Sequence, residues 1–520
     1  MMSHHPIDRR TMLALGLSAA AVMTHSGASA QTPSFLETAL QTIGDGQAFD
    51  PGKLLDIARL LAQRPYVAPE DDLPADLGSL TYEQYVSIHA RPESLLWRGE
   101  GRGFTIEPLH RGFVFATPIR VFAVSDGQSQ AIQYNRDHFI FGDITPPEQG
   151  RDLGFSGFRV FTDVPGEDRR EIAIFQDATF FRAIAKGQTY GIHARTLMLR
   201  PADSKGEELP RFRAFWIERP QTGSGALVIH ALLDSESVAG VVRFTLRHGD
   251  IAITDVEMTL IPRTPLEHIG IGGMTANFLF GEIRPTTNSD TRVAVHDIDG
   301  LQIHNGRDEW LWRPVTNPDN LRISSFLDTN PRGFGLLQRK RDFLAFQDDV
   351  QRFERRPSLW VEPLQDWGEG SVQLIEVPSN AQANANIIAY WRPKAVLNAG
   401  EETSFACRLL WCWSVPDRPD IAFVMGTRIG TLQNGRARRF AVSFRGKLLA
   451  DAALTATIKP SLSASHGTVS NVQQWFYPDR QFARVLFTLE PGNETGSELR
   501  LSLQAGDKTI SEAWLFRWTP

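Results

Sequence analysis

The chain has 520 residues, a formal net charge of -6 and a pI near 6.1. Lys and Arg are not in excess, which excludes a nucleic-acid binder that depends on clustered positive charge. Its 42 Gly, 31 Pro and 32 Phe describe a well-packed, turn-rich protein and favour an all-β fold. The length exceeds one ordinary core, so two or three domains are expected, although β-sandwiches can be larger than the average domain.

The first 30 residues have the features of an export signal. Arg9-Arg10 precedes an uncharged stretch at 14–23, and Ala28-Ser29-Ala30 ends the segment. This order resembles a twin-arginine signal, so we predict cleavage after Ala30. The apolar stretch is shorter than the ~20 residues that a membrane-spanning helix needs. We therefore expect the mature protein in the periplasm, without a membrane span.

Helical periodicity is confined to the beginning of the mature chain. Apolar residues recur at helical spacing over 53–63, which predicts an amphipathic helix. Thr81 followed by Gln84 has the pattern of a capping box and predicts a second, short helix. From about residue 100 onward, short alternating apolar runs are separated by Gly, Pro, Asn and Asp, as expected for strands and their turns.

One predicted hairpin is especially clear. Apolar and polar residues alternate over 242–247, a turn follows at 248–250, and Ile253 lies in the returning strand. The apolar phase then shifts to Val256, which predicts a β-bulge near Asp255.

A change of composition at 413–424 predicts a domain boundary. Two prolines and several charges interrupt the strand pattern there. We predict one large β-sandwich over 34–412, a linker at the break, and an immunoglobulin-like sandwich over 425–520.

Cys407 and Cys412 are five residues apart in a strand pattern, so they should lie roughly 17 Å apart on opposite faces, and no disulfide is expected between them.

Motifs for several common chemistries are missing from the sequence. There is no phosphate-binding P-loop, no Gly-x-Ser-x-Gly elbow and no His-Glu-x-x-His helix. No Cys/His set has the spacing of a zinc site. We therefore expect neither a cofactor nor a metal.

The stretch 293–391 interleaves carboxylates, arginines and aromatic residues in turn-rich sequence. This mixture suits a sugar polymer, because aromatic faces stack on pyranose rings while carboxylates and guanidinium groups bond to hydroxyls. The predicted substrate-binding residues are Trp310, Trp312, Arg332, Asp342, Arg356, Trp360 and Glu362. The alternative is that the tryptophans belong to the core and that the Arg/Asp pairs are surface ion pairs.

Three longer strings carry a resemblance to a known family. They lie at 152–161, at 330–338 and at 356–363, the last followed by Trp367-Gly368. From about residue 40 to the C-terminus, the chain resembles the periplasmic glucan biosynthesis proteins G and D. The resemblance implies a large galactose-mutarotase-like β-sandwich followed by an immunoglobulin-like domain. It also implies a role in making osmoregulated periplasmic glucans, with β-1,2-linked glucan and an inner-membrane glucosyltransferase as partners.

The same resemblance implies anomer-inverting glycoside hydrolysis, which needs a general acid and a general base. The family base maps onto Asp297, with Asp299 beside it in a supporting role, whereas the family acid maps onto Ala385. A methyl group cannot donate a proton, and no Asp or Glu occurs between Glu376 and Glu401. The acid is therefore missing from the position where the family has it.

Two functions consequently stay open. The first is a protein that binds β-1,2-glucan in the periplasm and guides or shields it, with weak or no cleavage. The second is an active anomer-inverting β-1,2-glucanase or transglycosylase whose general acid has moved elsewhere in the same region. The candidates for a relocated acid are Asp328, Asp342, Asp348 and Asp349.

Overall fold

The computed structural model describes residues 35–70, 72–163, 168–285, 290–432 and 435–520. The predicted signal and its cleavage after Ala30 lie outside the described residues. Within these ranges the chain is mostly β-sheet with a few short helices, which confirms the predicted all-β class. None of the helices in the described ranges has the length and hydropathy needed to cross a membrane.

The helices are short and lie mainly before the first long strand. They are α1 (Phe35–Leu40), α2 (Pro51–Ala62), α3 (Ala75–Gly78), α4 (Tyr82–Ser87) and α5 (Ala452–Thr455), with 3-10 turns at Pro92–Ser94, Arg136–His138, Phe343–Ala345, Phe353–Arg355, Lys447–Ala450 and Pro478–Arg480. Helix α2 begins where Asp50 accepts a hydrogen bond from the Gly52 N–H (2.8 Å). Helix α4 begins at the predicted capping box, in which Thr81 and Gln84 bond each other reciprocally. Both predicted helices are thus confirmed.

The strands are numbered in chain order. They are β1 (His89–Ala90), β2 (Gly103–Leu109), β3 (Arg120–Ser125), β4 (Gln128–Ala131), β5 (Phe139–Ile140), β6 (Gly157–Asp163), β7 (Glu171–Gln176), β8 (Phe180–Ala183), β9 (His193–Leu199), β10 (Arg211–Glu218), β11 (Ala226–Asp234), β12 (Val238–Arg247), β13 (Ala252–Pro262), β14 (Ile269–Ala276), β15 (Phe278–Phe280) and β16 (Val295–His296). They continue with β17 (Gly300–His304), β18 (Trp310–Pro314), β19 (Arg322–Thr329), β20 (Gly333–Leu337), β21 (Ser358–Pro363), β22 (Glu369–Glu376), β23 (Ile387–Pro393), β24 (Thr403–Cys412), β25 (Phe423–Thr431), β26 (Arg438–Arg445), β27 (Ile458–Ala464), β28 (Thr468–Tyr477), β29 (Phe482–Glu490), β30 (Ser497–Ala505), β31 (Lys508–Thr509) and β32 (Ala513–Trp518).

The first compact unit comprises the described residues up to 186 together with 193–273 and 391–411. One of its sheets has the order β24-β13-β12-β11-β10-β3-β4, and the other has the order β9-β8-β7-β6-β2. Phenylalanine rings join the two sheets: Phe175 on β7 contacts Phe215 on β10 and Phe244 on β12. Aromatic burial between facing sheets makes this unit a β-sandwich.

The predicted bulge near Asp255 is wrong. Strands β12 and β13 pair in continuous register from Arg247 opposite Ile253 to Val238 opposite Pro262. Thr254 is fully buried on the same side of the strand as Val256, so the inward phase never shifts. The sequence pattern misled because a polar threonine occupies an inward position.

The second compact unit comprises 187–192, 274–390 and 412–520. One of its sheets has the order β27-β30-β32-β18-β17-β20-β21, a second has the order β25-β26-β29-β28, and β19 pairs with β22. The indole of Trp514 on β32 contacts Phe440 on β26 and Phe487 on β29, and its N–H donates to Thr427 (2.9 Å). The predicted alternation of buried residues along β26, β29, β30 and β32 is therefore confirmed.

The second unit crosses the predicted boundary at 413–424. Strand β32 pairs in parallel with β18, and the buried Glu512 carboxylate accepts from Gln302 (2.5 Å) and from Arg339 (2.6 Å). These contacts tie the C-terminal strands to the 300–340 region, so the compact units divide the chain differently from the predicted 34–412 and 425–520. A C-terminal fragment that separates by proteolysis stays a prediction.

Both cysteines are buried free thiols, as the strand spacing predicted. Burial raises the pKa of the Cys407 thiol and that of the Cys412 thiol to about 12. The two thiols are therefore protonated at neutral pH and do not act as nucleophiles.

Candidate functional site

Asp297 lies in the second unit, immediately after the short strand β16. Strand β16 pairs with β15, which places Asp297 beside Asn277: the Asp297 N–H donates to the Asn277 carbonyl (2.9 Å) and the Asn277 N–H donates to the Asp297 carboxylate (3.2 Å). The residue is only 8% exposed. Its other carboxylate oxygen is 3.6 Å from Nε of Arg356, which is an ion pair but longer than a hydrogen bond.

Arg356 is held in place by the segment 187–192. The Thr189 N–H donates to the carbonyl of Arg355 (3.1 Å), and Gly191 lies against the aliphatic part of Arg356. A Cβ atom on Gly191 would be 2.9 Å from Cδ of Arg356, so this close approach requires glycine. The far end of the guanidinium donates to Gln351 (2.9 Å). These contacts hold the Arg356 guanidinium beside the Asp297 carboxylate.

Asp299 lies two residues beyond Asp297 and is also largely buried. One carboxylate oxygen accepts from the backbone N–H groups of Arg339 (2.6 Å) and Lys340 (3.0 Å), and the other is 3.9 Å from the Lys340 ammonium. Burial alone would raise the pKa of Asp299, but the charges of Lys340 and His296 and the two N–H donors outweigh it and lower that pKa. Asp299 is therefore an anion at neutral pH and is suited to support rather than to donate a proton.

His296 precedes Asp297 and is almost completely buried. Its ring stacks on Phe278 (centroids 4.8 Å apart) and meets the edge of Phe346. Burial lowers the pKa of His296 to about 4, although the nearby Asp299 charge opposes that shift. The imidazole is consequently neutral at pH 7.

Ala385 lies in the loop before β23, and this loop is attached to the Asp297 region through Asn277. The Asn277 amide donates to the carbonyls of Gln382 (2.5 Å) and Asn384 (3.0 Å). Asn386 accepts from the Phe278 N–H (2.8 Å) and donates back to the Phe278 carbonyl. Asn277 thus contacts both the carboxylate of Asp297 and the loop that holds Ala385.

A second set of contacts fixes this loop from its other side. Arg292 donates to the side chain of Gln382 (2.5 Å), and Asn317 donates to the Ser379 carbonyl (2.6 Å). Asn384 donates to the Ser379 hydroxyl (3.1 Å). The loop around Ala385 is therefore held by hydrogen bonds on both sides, and what it lacks at the family's acid position is a carboxyl side chain.

Several buried polar atoms around Asp297 have no hydrogen-bond partner in the described part of the chain. They are Asn277 Oδ1, His296 Nδ1, Gln338 Oε1, Glu354 Oε2, Arg356 Nε and Thr189 Oγ1. Gln338 belongs to this neighbourhood because its amide lies 3.4 Å from the His296 carbonyl and 3.5 Å from the Phe353 carbonyl. Buried polar groups are normally satisfied, so these atoms have hydrogen-bonding capacity left for a polar ligand or water.

Comparison with known proteins assigns the family. The family model described as "Periplasmic glucan biosynthesis protein, MdoG" matches residues 49–518. The chain belongs to this family. A role in periplasmic glucan biosynthesis follows from that membership.

Curated relatives extend over nearly the whole chain. The chain is 45% identical to "Glucans biosynthesis protein G" of Rhodopseudomonas palustris (strain BisA53), covering 91% of this chain and 94% of the relative. It is 41% identical to the protein of the same name from Bradyrhizobium diazoefficiens, covering 99% of this chain and 100% of the relative. It is 39% identical to "Glucans biosynthesis protein G 1" of Shewanella oneidensis, covering 94% and 90% respectively.

The predicted tryptophans of this family member are buried. Trp310 is stacked between His304 (4.2 Å) and Trp360 (5.8 Å), and Trp360 is 2% exposed. Trp312 is 3% exposed and lies under the guanidinium of Arg339, 3.4 Å from its ring centre. Their ring faces are covered by protein, which favours the alternative that they belong to the core. Their contact with substrate stays a prediction.

The predicted polar residues are scattered. Arg332 is exposed and pairs with Asp308 (2.7 Å), and Asp342 is exposed and caps a 3-10 turn by accepting from the Leu344 N–H (3.0 Å). Glu362 is partly buried in β21. Among the predicted binding residues, Arg356 forms an ion pair with Asp297.

The four candidates for a relocated acid differ in their surroundings. Asp328 accepts from the Gly306 and Thr329 N–H groups, whereas Asp348 is buried, pairs with Arg292 (3.2 Å) and accepts from two backbone N–H groups. Asp349 is exposed, like Asp342. The two less exposed carboxyls are thus already hydrogen-bonded within the protein.

Sequence reasoning missed the residues that organise the site. Asn277 and Thr189 lie outside the strings that carry the family resemblance, and Gln338 ends one of them without a feature that singles it out. Their roles arise from pairings between segments far apart in the chain. No group of three or more His, Cys, Asp or Glu in the described ranges is arranged to hold a metal ion.

Proposed function

We propose that this protein binds β-1,2-linked glucan at the Asp297 site during glucan biosynthesis in the periplasm, with little or no cleavage of the chain. The observation that carries the proposal is the pairing of a retained, buried carboxylate with an alanine at the acid position of the adjoining loop. Asn277 links the two sides of this arrangement through its backbone and its side chain. A site of this kind can hold a sugar without protonating its leaving oxygen.

The polar groups around Asp297 support a polyhydroxylated ligand. A sugar hydroxyl both donates and accepts, so it can satisfy acceptors such as Gln338 Oε1 and donors such as Arg356 Nε at once. The Asp297 carboxyl is buried, and a carboxylate forms strong hydrogen bonds with hydroxyls. At 3.6 Å, Nε of Arg356 and the Asp297 oxygen are not hydrogen-bonded to each other, so a hydroxyl beside the pair can bond to both.

The side chains of the loop at 377–386 offer no general acid, which supports the absence of efficient cleavage. Its amide residues are occupied by backbone and side-chain contacts, and an amide cannot act as a general acid at ordinary pH. Without protonation, a sugar alkoxide is a poor leaving group, and general acid catalysis typically contributes ~10²–10⁴-fold.

A second candidate function is an inverting β-1,2-glucanase or transglycosylase with a relocated acid. Glu354 is a further carboxyl to test in this role. It is 6% exposed, it lies two residues from Arg356, and one of its oxygens pairs with Arg352 (2.6 Å). Its Oε2 has no hydrogen-bond partner within the described residues and is free to bond to a substrate oxygen. Loss of wild-type turnover in Glu354→Gln would support this function.

The proposed location is the periplasm after twin-arginine export, and the proposed partner enzyme is an inner-membrane glucosyltransferase that supplies the growing glucan. The family description supports the compartment. Mass spectrometry of the periplasmic protein should find an N-terminus at Gln31, and a cytoplasmic protein that retains Met1 would contradict the export proposal.

Calorimetry with linear β-1,2-glucan oligosaccharides tests the function. Asp297→Asn should weaken binding about tenfold or more, since a hydrogen bond to a charged group is worth about 1.5–3 kcal/mol. Asp507→Asn is the matched control, because Asp507 is exposed in the turn between β30 and β31. Equal binding by wild type and folded Asp297→Asn would rule out the site, and robust release of reducing ends by wild type would favour the enzyme.

A further inference from the structure

The second unit contains a large groove that shares no lining residue with the Asp297 site. Its volume is about 560 Å³, within the range of small-molecule sites. The strands β18, β19, β27, β30 and β32 form its walls. Nothing in the family assignment accounts for it.

Strand β18 separates this groove from the site at Asp299. Trp312 and Pro314 line a small cavity beside Asp299, whereas Arg313 lines the groove. Successive side chains of a strand point to opposite faces, so the two spaces lie on opposite sides of β18. A ligand in the groove would therefore not occupy the Asp297 site.

The groove runs along two strand edges. Strand β19 ends one sheet and β27 ends another, and no further strand pairs with their outer edges in the described ranges. The groove is lined by the consecutive residues 323–326 of β19. It is also lined by Ser463 and Ala464 at the end of β27 and by the following Ser465. Consecutive lining means that the backbone edge faces the space, with its N–H and C=O groups available as donors and acceptors.

The charges in the groove are compensated. Arg517 lies 3.6 Å from Glu498, Arg500 pairs with Glu309, and Arg313 pairs with the buried Glu376 (3.3 Å). The arginines therefore do not produce a strong positive field. They present donors beside acceptors, together with the hydroxyls of Ser324, Ser325 and Ser463.

We propose that this groove is a second glucan-binding site. The proposal rests on the proposed function and extends it. Alternating donors and acceptors with little net charge match a neutral polyol, whose hydroxyls need both. A polyanion would require uncompensated arginines, and an added peptide strand would require apolar pockets for alternate side chains, whereas serines and charged pairs occupy much of the lining.

Hydrogen exchange measured by mass spectrometry tests the proposal, with linear β-1,2-glucan as the probe. Saturating glucan should slow amide exchange over 322–329 and 458–464 about tenfold in wild type, because hydroxyls would bond the open strand edges. Ser463→Trp fills the groove and should abolish this effect while leaving protection near Asp297. Ser461→Trp, on the same strand but outside the lining, is the matched control and should behave like wild type.

The remaining outcomes separate this inference from the proposed function. Asp297→Asn should weaken protection near residue 297 and retain it along β19 and β27 at saturating glucan. Protection confined to the neighbourhood of Asp297 in wild type would overturn the groove inference and leave the proposed function standing, and protection in neither region would overturn both. Protection of β19 by a strand-forming model peptide but not by glucan would identify a peptide-docking groove and overturn the inference.

Discussion

Two buried histidines, one in each compact unit, have the same charge state in different surroundings. Burial lowers the pKa of His110 and that of His296 to about 4. Both rings also contact phenylalanine rings: His110 meets Phe139 and His296 stacks on Phe278. By burial and protonation alone, the two regions are indistinguishable.

Their hydrogen bonds differ. The ring nitrogens of His110 contact the Arg111 carbonyl (2.5 Å) and the Tyr134 hydroxyl (2.7 Å), so both are used. For His296, Nδ1 has no hydrogen-bond partner in the described ranges, and Nε2 is 3.9 Å from Asp299. The region of His110 is closed by its own contacts, whereas that of His296 retains unused polar groups. Unused hydrogen-bonding capacity, rather than a shifted pKa, distinguishes the candidate site.

The largest expected effect is on the rate of glucan hydrolysis, and it comes from placing a carboxyl at Ala385, near His296 and Asp297. Ala385→Asp should raise the rate of β-1,2-glucan hydrolysis by about 10- to 1,000-fold if the rest of the apparatus is intact, because it restores a general acid. The double variant with Asp297→Asn should lose the gain, since an inverting mechanism needs both groups. Release of reducing ends measures both rates.

Ala383→Asp is the matched control for this experiment. It introduces the same carboxyl into the same loop, two residues away at an exposed position, and should leave hydrolysis unchanged. A folded Ala385→Asp variant that binds glucan but stays inert would mean that more than one side chain has been lost.

The second largest effect is on stability, and it concerns the buried stack of Trp310 and Trp360 in the same unit. Trp360→Ala should lower the free energy of unfolding by about 3–5 kcal/mol, because it removes a buried ring stacked on Trp310. Arg332→Ala, at an exposed ion pair, should change it by less than about 1 kcal/mol. Denaturant unfolding gives both values. Weaker glucan binding by Trp360→Ala at unchanged stability would instead restore its predicted role in the binding site.

The smallest effect compares the two histidines directly. Because each pKa is about 4 in the folded state and near 6.5 when unfolded, the stability that each neutral ring provides is complete above pH 6.5. It is lost as the pH falls to 4, by about 3 kcal/mol per histidine. Either His→Phe variant should reduce this acid sensitivity in denaturant titrations between pH 7 and 4.5.

At pH 7 the two variants should separate. His110→Phe leaves the Tyr134 hydroxyl and the Arg111 carbonyl without their hydrogen bonds to the ring, which should lower the free energy of unfolding by about 1–3 kcal/mol. His296→Phe breaks no hydrogen bond of the ring among the described residues. Equal losses at pH 7 would mean that His296 is as fully bonded as His110 and would remove the contrast between the two regions.

The sequence predicted the fold class and the secondary structure where local patterns decide them. The capping box at Thr81 and the alternation along β26 and β29 depend on neighbours in the chain, and both are confirmed. The bulge near Asp255 failed because Thr254 is a polar residue on the buried side. Local polarity is a poor guide where a hydroxyl is buried in a sheet.

The site was predicted less completely. A family motif led to Asp297 and Ala385, but composition alone could not separate cleft aromatics from core ones, and the predicted tryptophans are buried. Asn277 and Thr189 act through contacts with segments distant in sequence, and such contacts leave no periodic or spacing signal.

The contact between Glu512 and Arg339 has a consequence for the order in which the protein is made. The Arg339 guanidinium binds Glu512, and the Arg339 backbone N–H binds Asp299. Ribosomes translate Glu512 long after Asp299, so a nascent chain reaches Arg339 without its buried counter-ion. The Asp299 environment is therefore completed only after strand β32 has been synthesised.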